Sequence, residues 1–177
     1  MATVYLSLGT NVGDRWQHLH NAMAALGGLI KIEAVSPVYE TAPWGPIQDQ
    51  PYFLNCCVRG RSDLQPMMIL VALKKMERRL GIPLGQRYGP RTIDIDVLSI
   101  DNATLCYGRW KLPKPQIERQ AFVLVPLRDI APTWRHPVSG CTVNELIRGV
   151  DTTKMRVFGE GACLLGMESS RRPVQMR

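Results

Sequence analysis

The chain has 177 residues, 45% hydrophobic and 21% charged, with a formal charge of +7. That length suits one domain whose core needs no disulfide staples, and no apolar run approaches the ~20 residues of a membrane helix. The segment M-A-T-V-Y-L-S-L-G lacks the basic flank and cleavage pattern of a signal peptide, so the expected location is the cytoplasm.

In chain order, a first strand is expected over Val4–Leu8, closed by G-T-N-V-G at 9–13. A helix follows from about Asp14, with Trp16, Leu19, Met23 and Leu26 at near-helical spacing and Gly27-Gly28 as its stop. A second strand is read from Ile30 to Tyr39. The loop T-A-P-W-G-P-I-Q-D-Q-P (41–51) then leads to a third strand, Tyr52–Arg59. A second helix starts near Pro66, a residue suited to a first turn, and carries an apolar stripe of Ile69, Ala72, Leu73, Met76 and Leu80. Gly81 closes it, and a turn-rich loop (81–90) leads to a strand over 91–100. The order β-α-β-β-α-β defines the split βαβ unit of a ferredoxin-like α+β sheet. Additional short strands and a helix at Thr142–Arg148 complete a domain of residues 1–150. Residues 151–177 form a C-terminal extension without clear period, expected to be loosely held.

The charge and cysteine patterns narrow the choice of partner. Surplus positive charge reads either as a solvated basic face or as attraction for nucleic acid or a polyanionic small molecule such as ATP. Lys74, Lys75, Arg78 and Arg79 are dispersed along one helix, which favours a solvated face. Five cysteines include one adjacent pair, Cys56-Cys57, and no C-x-x-C, so they read as packed thiols in a reducing compartment.

The segment R-Y-G-P-R-T-I-D-I-D-V-L (87–98) carries the strongest chemical signal. In a strand Asp94 and Asp96 share one face about 6.6 Å apart, with Ile93, Ile95 and Val97 on the other. Such a pair either salt-bridges Arg87 or Arg91, or binds a hard cation together with phosphate oxygens. On the third strand Phe53 and Asn55 also share a face. They form either an ordinary packed pair or an aromatic plane and an amide suited to a flat heterocycle. The loop 41–51, with three prolines and Trp44, has the length and turn chemistry of a functional cover.

Other signals fail. G-T-N-V-G lacks the G-K-[ST] of a phosphate-binding P-loop. His18 and His20 point to different faces of a helix and make a poor metal pair. His136 precedes Pro137 with no evident partner, and no aromatic ladder interleaves with Lys/Arg as RNA recognition requires.

Taken together, V-Y-L-S-L-G-T-N-V-G-D-R, Y-E-T-A-P-W-G-P, Q-P-Y-F-L-N, Y-G-P-R-T-I-D-I-D-V-L, A-F-V-L-V-P-L-R-D-I-A-P and H-P-V-S-G resemble the 6-hydroxymethyl-7,8-dihydropterin pyrophosphokinase family. The likeness runs from about Val4 to Leu146. It implies a ferredoxin-like fold and transfer of the β,γ-diphosphoryl group of ATP to the pterin hydroxymethyl oxygen, with release of AMP, in folate biosynthesis. It further implies two Mg²⁺ ions on Asp94 and Asp96, with Arg91 on phosphate as the third catalytic residue. The pterin would lie between Phe53 and Phe122, read by Asn55 and flanked by Thr41, Pro43 and Trp44. ATP would meet Glu77, Arg87, Tyr88, Arg91, Arg109, Lys111 and Lys114. The expected protein is a monomer acting on ATP and a reduced pterin, with no nucleic acid or membrane partner.

Several positions depart from the family pattern. Ile82 and Leu84 replace two cationic positions of the loop after the second helix. Lys114 stands for a histidine, and Gln116 and Gln120 for arginines. Lys114 still offers charge to a phosphate, as a point charge without a fork. The alternative readings are a diverged paralogue that binds pterin or nucleotide with little turnover, and a ferredoxin-like RNA-binding module.

Overall fold

The computed structural model describes residues 1–81, 88–108 and 110–166. Strand β1 (Ala2–Thr10) is followed by helix α1 (Arg15–Leu26), whose first turn is capped by the Asp14 carboxylate accepting from the Gln17 N–H at 3.0 Å. Strands β2 (Lys31–Val35), β3 (Val38–Thr41) and β4 (Phe53–Ser62) come next, then helix α2 (Pro66–Leu80), with Pro66 in its first turn and Gly81 as a left-handed cap. Strand β5 (Asp94–Ile100) and a hairpin of β6 (Leu105–Tyr107) and β7 (Trp110–Leu112) lead to helices α3 (Ala121–Ile130) and α4 (Val143–Ile147). Strand β8 (Met155–Gly159) follows.

Among the described residues the main sheet runs β5-β1-β4-β3-β8, with β2 also paired to β4. All its pairings are antiparallel. Placing β1 between β4 and β5, with β2 and β3 on the far side of β4, is the split βαβ order read from the sequence. Alternation along the strands splits the core in two. Leu6, Leu8, Leu54, Cys56, Val58, Ile93 and Ile95 pack against α1 and α2 through Leu19, Met23, Leu26, Ile69 and Leu73. Cys57 and Leu98 face the other way, into a cluster with Val123, Leu124 and Leu127 of α3, Trp134 and Val143. The adjacent cysteines therefore belong to opposite faces, as two successive strand residues must.

Four elements differ from the sequence reading. The second strand is two strands, broken at Ser36-Pro37, because proline has no N–H for the ladder. Ser36 replaces the ladder locally: its N–H donates to the Cys57 carbonyl, and its Oγ accepts from the Cys57 N–H, both at 2.9 Å. The strand expected over 91–100 begins only at Asp94, leaving Arg91 in the turn before it. Residues 121–130 form a helix where short strands were expected. This helix is densely apolar, with Val123, Leu124, Val125, Pro126, Leu127 and Ile130 buried, and its five consecutive buried residues read as a buried strand as readily as a helix. Finally, β8, inside the expected loose extension, pairs with β3 and is followed by a 3-10 turn, Gly161–Leu165, which packs Leu164 into the core.

Candidate active site

Three neighbouring strands align the site residues by register. Asn55 of β4 lies opposite Gly9 of β1, and Gly9 lies opposite Asp94 of β5. One pleat further on, Cys57, Ser7 and Asp96 form the next row. Directly paired residues share a face, so the amide and both carboxylates project from the same side of the sheet. A cleft of about 770 Å³ opens there, bounded by Phe53, Phe122, Trp44 and Trp110 and floored by Gly9, Asn55, Asp94 and Asp96.

Gly9 was not singled out in the sequence, and the geometry shows its use. A Cβ there would lie 2.7 Å from the Asn55 side-chain oxygen and 3.8 Å from Phe53 Cδ1. Only a bare Cα lets the Asn55 amide lie flat over β1. Asn55 is 3% exposed, and its Nδ2 donates to Thr41 Oγ1 at 2.8 Å. The side-chain oxygen of Asn55 is thereby the end of the amide turned toward Gly9. Pro43 is buried beside Thr41, and the rings of Trp44 and Phe122 lie 6.1 Å apart at 56°. Thr41, Trp44, Phe53, Asn55 and Phe122 thus all line the cleft, while Pro43 is buried next to Trp44 in the chain.

The cleft also carries charge. Arg91 Nη1 donates to Asp94 Oδ2 at 2.8 Å, and Lys114 Nζ is paired with Asp96 Oδ2. Burial pushes the Asp94 carboxyl up and nearby Asp96 adds to the rise, against Arg91, Lys74 and Lys114. Asp96 has the same burial penalty, but Lys114 and Lys74 outweigh it and hold its carboxyl below the usual range. Glu77, 2% exposed, is pushed up to about 7, first by burial and then by Asp94, with Lys74 opposing. It braces the aspartate strand: Glu77 Oε1 accepts the Ile95 N–H at 2.6 Å, and Oε2 pairs with Lys74 Nζ at 2.6 Å. Both oxygens of Glu77 are therefore engaged within the protein, although the side chain borders the cleft.

Tyr88 borders the cleft with a φ of 65°, and Lys111 is exposed on β7 at its rim. Gln116 and Gln120 also line it, Gln120 being buried. Arg87, Arg109, Ile82 and Leu84 lie outside the described residues.

Sequence reasoning also missed Asn11, in the G-T-N-V-G turn. Its side chain donates to Gln50 Oε1 and the Pro51 carbonyl, both at 3.0 Å, while its Oδ1 accepts the Arg91 N–H at 2.8 Å. Gln50 in turn donates to the Tyr88 carbonyl at 2.9 Å. A buried Asn in a turn is a visible signal only once its partners, about forty and eighty positions away, are known.

A ferredoxin-like sheet carrying paired carboxylates, cations and an aromatic–amide pocket in one cleft has the groups that a phosphoryl transferase uses for positioning and charge. The sequence model of 7,8-dihydro-6-hydroxymethylpterin-pyrophosphokinase matches residues 5–132. The chain is 38% identical over 138 residues to the 2-amino-4-hydroxy-6-hydroxymethyldihydropteridine pyrophosphokinase of Aquifex aeolicus, covering 78% of this chain and 86% of that protein. It is 39% identical over 153 residues to the pyrophosphokinase of the same name from Methylorubrum extorquens, covering 85% and 95%. Wild-type Plasmodium falciparum HPPK-DHPS shares the fold, with a TM-score of 0.68 at 16% identity over 84% of this chain and 44% of that larger one. The chain belongs to the 7,8-dihydro-6-hydroxymethylpterin-pyrophosphokinase family and is an ATP-dependent pyrophosphokinase of folate biosynthesis.

Proposed function

We propose that the cleft binds the reduced pterin at its aromatic end and ATP at its charged end, with Asp94 and Asp96 holding two Mg²⁺ ions between them. The observation that carries this reading is the row Asn55–Gly9–Asp94, which puts a ring-reading amide and a carboxylate on adjoining strands of one wall. The donor set fits the metal: hard carboxylate oxygens share one face, and each already attracts a cation. Magnesium, when bound there, neutralises polyphosphate charge as the diphosphoryl group transfers.

The chain's own residues supply position and charge. Phe53 and Phe122 enclose the two faces of the pterin, with Trp44 closing the loop side. Asn55, held by Thr41, reads the ring edge through its amide, and Pro43 stiffens the strand of loop that carries Thr41 and Trp44. The pterin hydroxymethyl oxygen attacks the β-phosphorus of ATP and gives up its proton to solvent; the bond from that phosphorus to the α,β-bridging oxygen breaks, and AMP leaves with that oxygen. Arg91 offers a fork of donors to the transferring phosphates, and Lys114 a point charge. Tyr88, Lys111, Arg87 and Arg109 complete the nucleotide contacts, and Glu77 acts on them through the aspartate strand it braces. The enzyme works as a cytoplasmic monomer on these small molecules, without nucleic acid. Of the cations lining the cleft, Lys74, Arg91 and Lys114 are engaged with carboxylates. No helix among the described residues is long and apolar enough to cross a membrane.

The test is AMP release from ATP, measured with and without the reduced pterin alcohol. AMP should appear only with the pterin, and Asp96→Ala should lower the rate by about 10²–10³-fold or more, the usual loss for a preorganised electrostatic group. Undiminished turnover in that variant would refute the assignment of the aspartates.

A further inference from the structure

Each cleft aspartate is neutralised by a cation, but the two cations are held differently. Arg91 is fixed on several sides: its backbone N–H by Asn11 Oδ1 at 2.8 Å, its Nε by the Gly89 carbonyl at 3.1 Å, and its Nη1 by Asp94 at 2.8 Å. Lys114 has its backbone N–H tied to the Leu98 carbonyl at 2.9 Å, which anchors its Cα beside β5. Its ammonium reaches Asp96 at the end of a four-carbon stem. An ammonium on a flexible stem can change partners without disturbing the backbone, whereas a guanidinium locked by several bonds cannot. The Lys114 side chain is 16% exposed, so its charge sits inside the cleft whichever partner it holds.

We propose that Lys114 is an exchangeable counter-ion: it occupies Asp96 in the free enzyme and passes to a phosphate oxygen when nucleotide and divalent metal arrive together. This rests on the metal reading of the aspartates given above. A divalent ion and an ammonium repel when they compete for one carboxylate. Metal binding to the free protein is therefore opposed by Lys114. The phosphates of ATP give the displaced ammonium a new partner, so nucleotide and metal promote each other's binding. Coupling between two ligands is reciprocal, and here one side chain carries it.

The experiment is titration of Mn²⁺, followed by its paramagnetic signal, into the protein alone and with saturating α,β-methylene-ATP. Lys114→Met should tighten Mn²⁺ binding to the free protein about tenfold, the worth of a charged hydrogen bond. It should also weaken binding of the nucleotide analogue with Mn²⁺ about tenfold. Lys114→Arg, which keeps the cation, should stay near the parent in both. A merely structural lysine would give changes of the same sign in both titrations. Unchanged or weakened Mn²⁺ affinity in free Lys114→Met overturns the exchange.

A second measurement needs no variant. The acetylation rate of Lys114 by acetic anhydride, read by mass spectrometry, should rise with Mn²⁺ alone and fall when the analogue is added. Equal rates in all three states also overturn the exchange. Asp96→Ala separates the two levels of argument. If it leaves Mn²⁺ binding intact, the metal reading itself falls. If it abolishes binding while Lys114→Met changes nothing, only the exchange falls.

Discussion

Replacing Gly9 by alanine places a methyl group 2.7 Å from the Asn55 side-chain oxygen, inside the 3.0 Å that real Cβ contacts essentially never cross. Asn55 must retreat by several tenths of an ångström. It is buried between β1 and β3, and retreat strains its 2.8 Å bond to Thr41 Oγ1. Losing that bond costs about 1 kcal/mol, and misplacing the amide against the pterin edge costs about 1 kcal/mol more. Only the second cost falls on pterin binding, which weakens by about 1 kcal/mol, roughly fivefold, since each 1.4 kcal/mol is tenfold. Stability changes far less. The alanine restricts the unfolded chain, a gain of about 0.4–1 kcal/mol that offsets most of the lost hydrogen bond. The assay is an equilibrium titration of the reduced pterin, by fluorescence, beside a thermal melt of the same preparation. Pterin affinity within twofold of the parent, with an unaltered melt, would refute the view that Gly9 exists to seat Asn55.

Other outcomes follow from the same structure. Arg15 Nη2 donates to the buried Glu40 carboxylate at 2.9 Å and Nη1 to the Tyr52 carbonyl at 2.7 Å, so Arg15→Met should cost about 2 kcal/mol in urea unfolding. Burial raises the Glu40 carboxyl, but Arg156 and Arg15 outweigh it and hold it below its ordinary value. Its stabilisation is therefore complete above the unfolded-state pKa of about 4.3 and fades as pH falls through the folded-state value. The stability gap between the parent and Glu40→Gln, followed by urea midpoint, should narrow on acidification; a constant gap would refute the linkage. A Cβ on Gly161 would lie 1.9 Å from the Ser36 carbonyl oxygen. Gly161→Ala should thus destabilise by about 2–3 kcal/mol, measured the same way. Thr142 and Glu145 form a reciprocal cap on α4, so Thr142→Ala should cost about 1 kcal/mol.

The strands that build the cleft were legible because each alternates cleanly. Phe53 and Asn55 against Leu54, Cys56 and Val58, and Asp94 and Asp96 against Ile93, Ile95 and Val97, set face and direction from local pattern alone. What stayed hidden depends on contacts remote in sequence. Helix α3 was hidden because its five consecutive buried residues, 123–127, read as a buried strand, and Pro126 inside it reads as a breaker. Pro126 also lacks the N–H that would bond the carbonyl of Phe122 four residues earlier, yet burial holds the turn. The break at Ser36-Pro37 hid within a β-rich run, since Ser36 satisfies Cys57 from the side chain. Gly9 and Asn11 looked like plain turn residues, because their roles are fixed by Asn55 and Arg91, far along the chain. Lys114 read as a lost histidine; its pairing with Asp96 appears only when the turn after β7 folds back over β5.

The Asn11 side chain grips the Pro51 end of the long loop with one end of its amide and the backbone of Arg91 with the other. Gln50 repeats the link from the loop to Tyr88. The long loop and the turn that carries Tyr88 and Arg91 are consequently one mechanical piece. A displacement on either side is transmitted to the other through two amide side chains, so mobility in this cleft is a joint property of both segments.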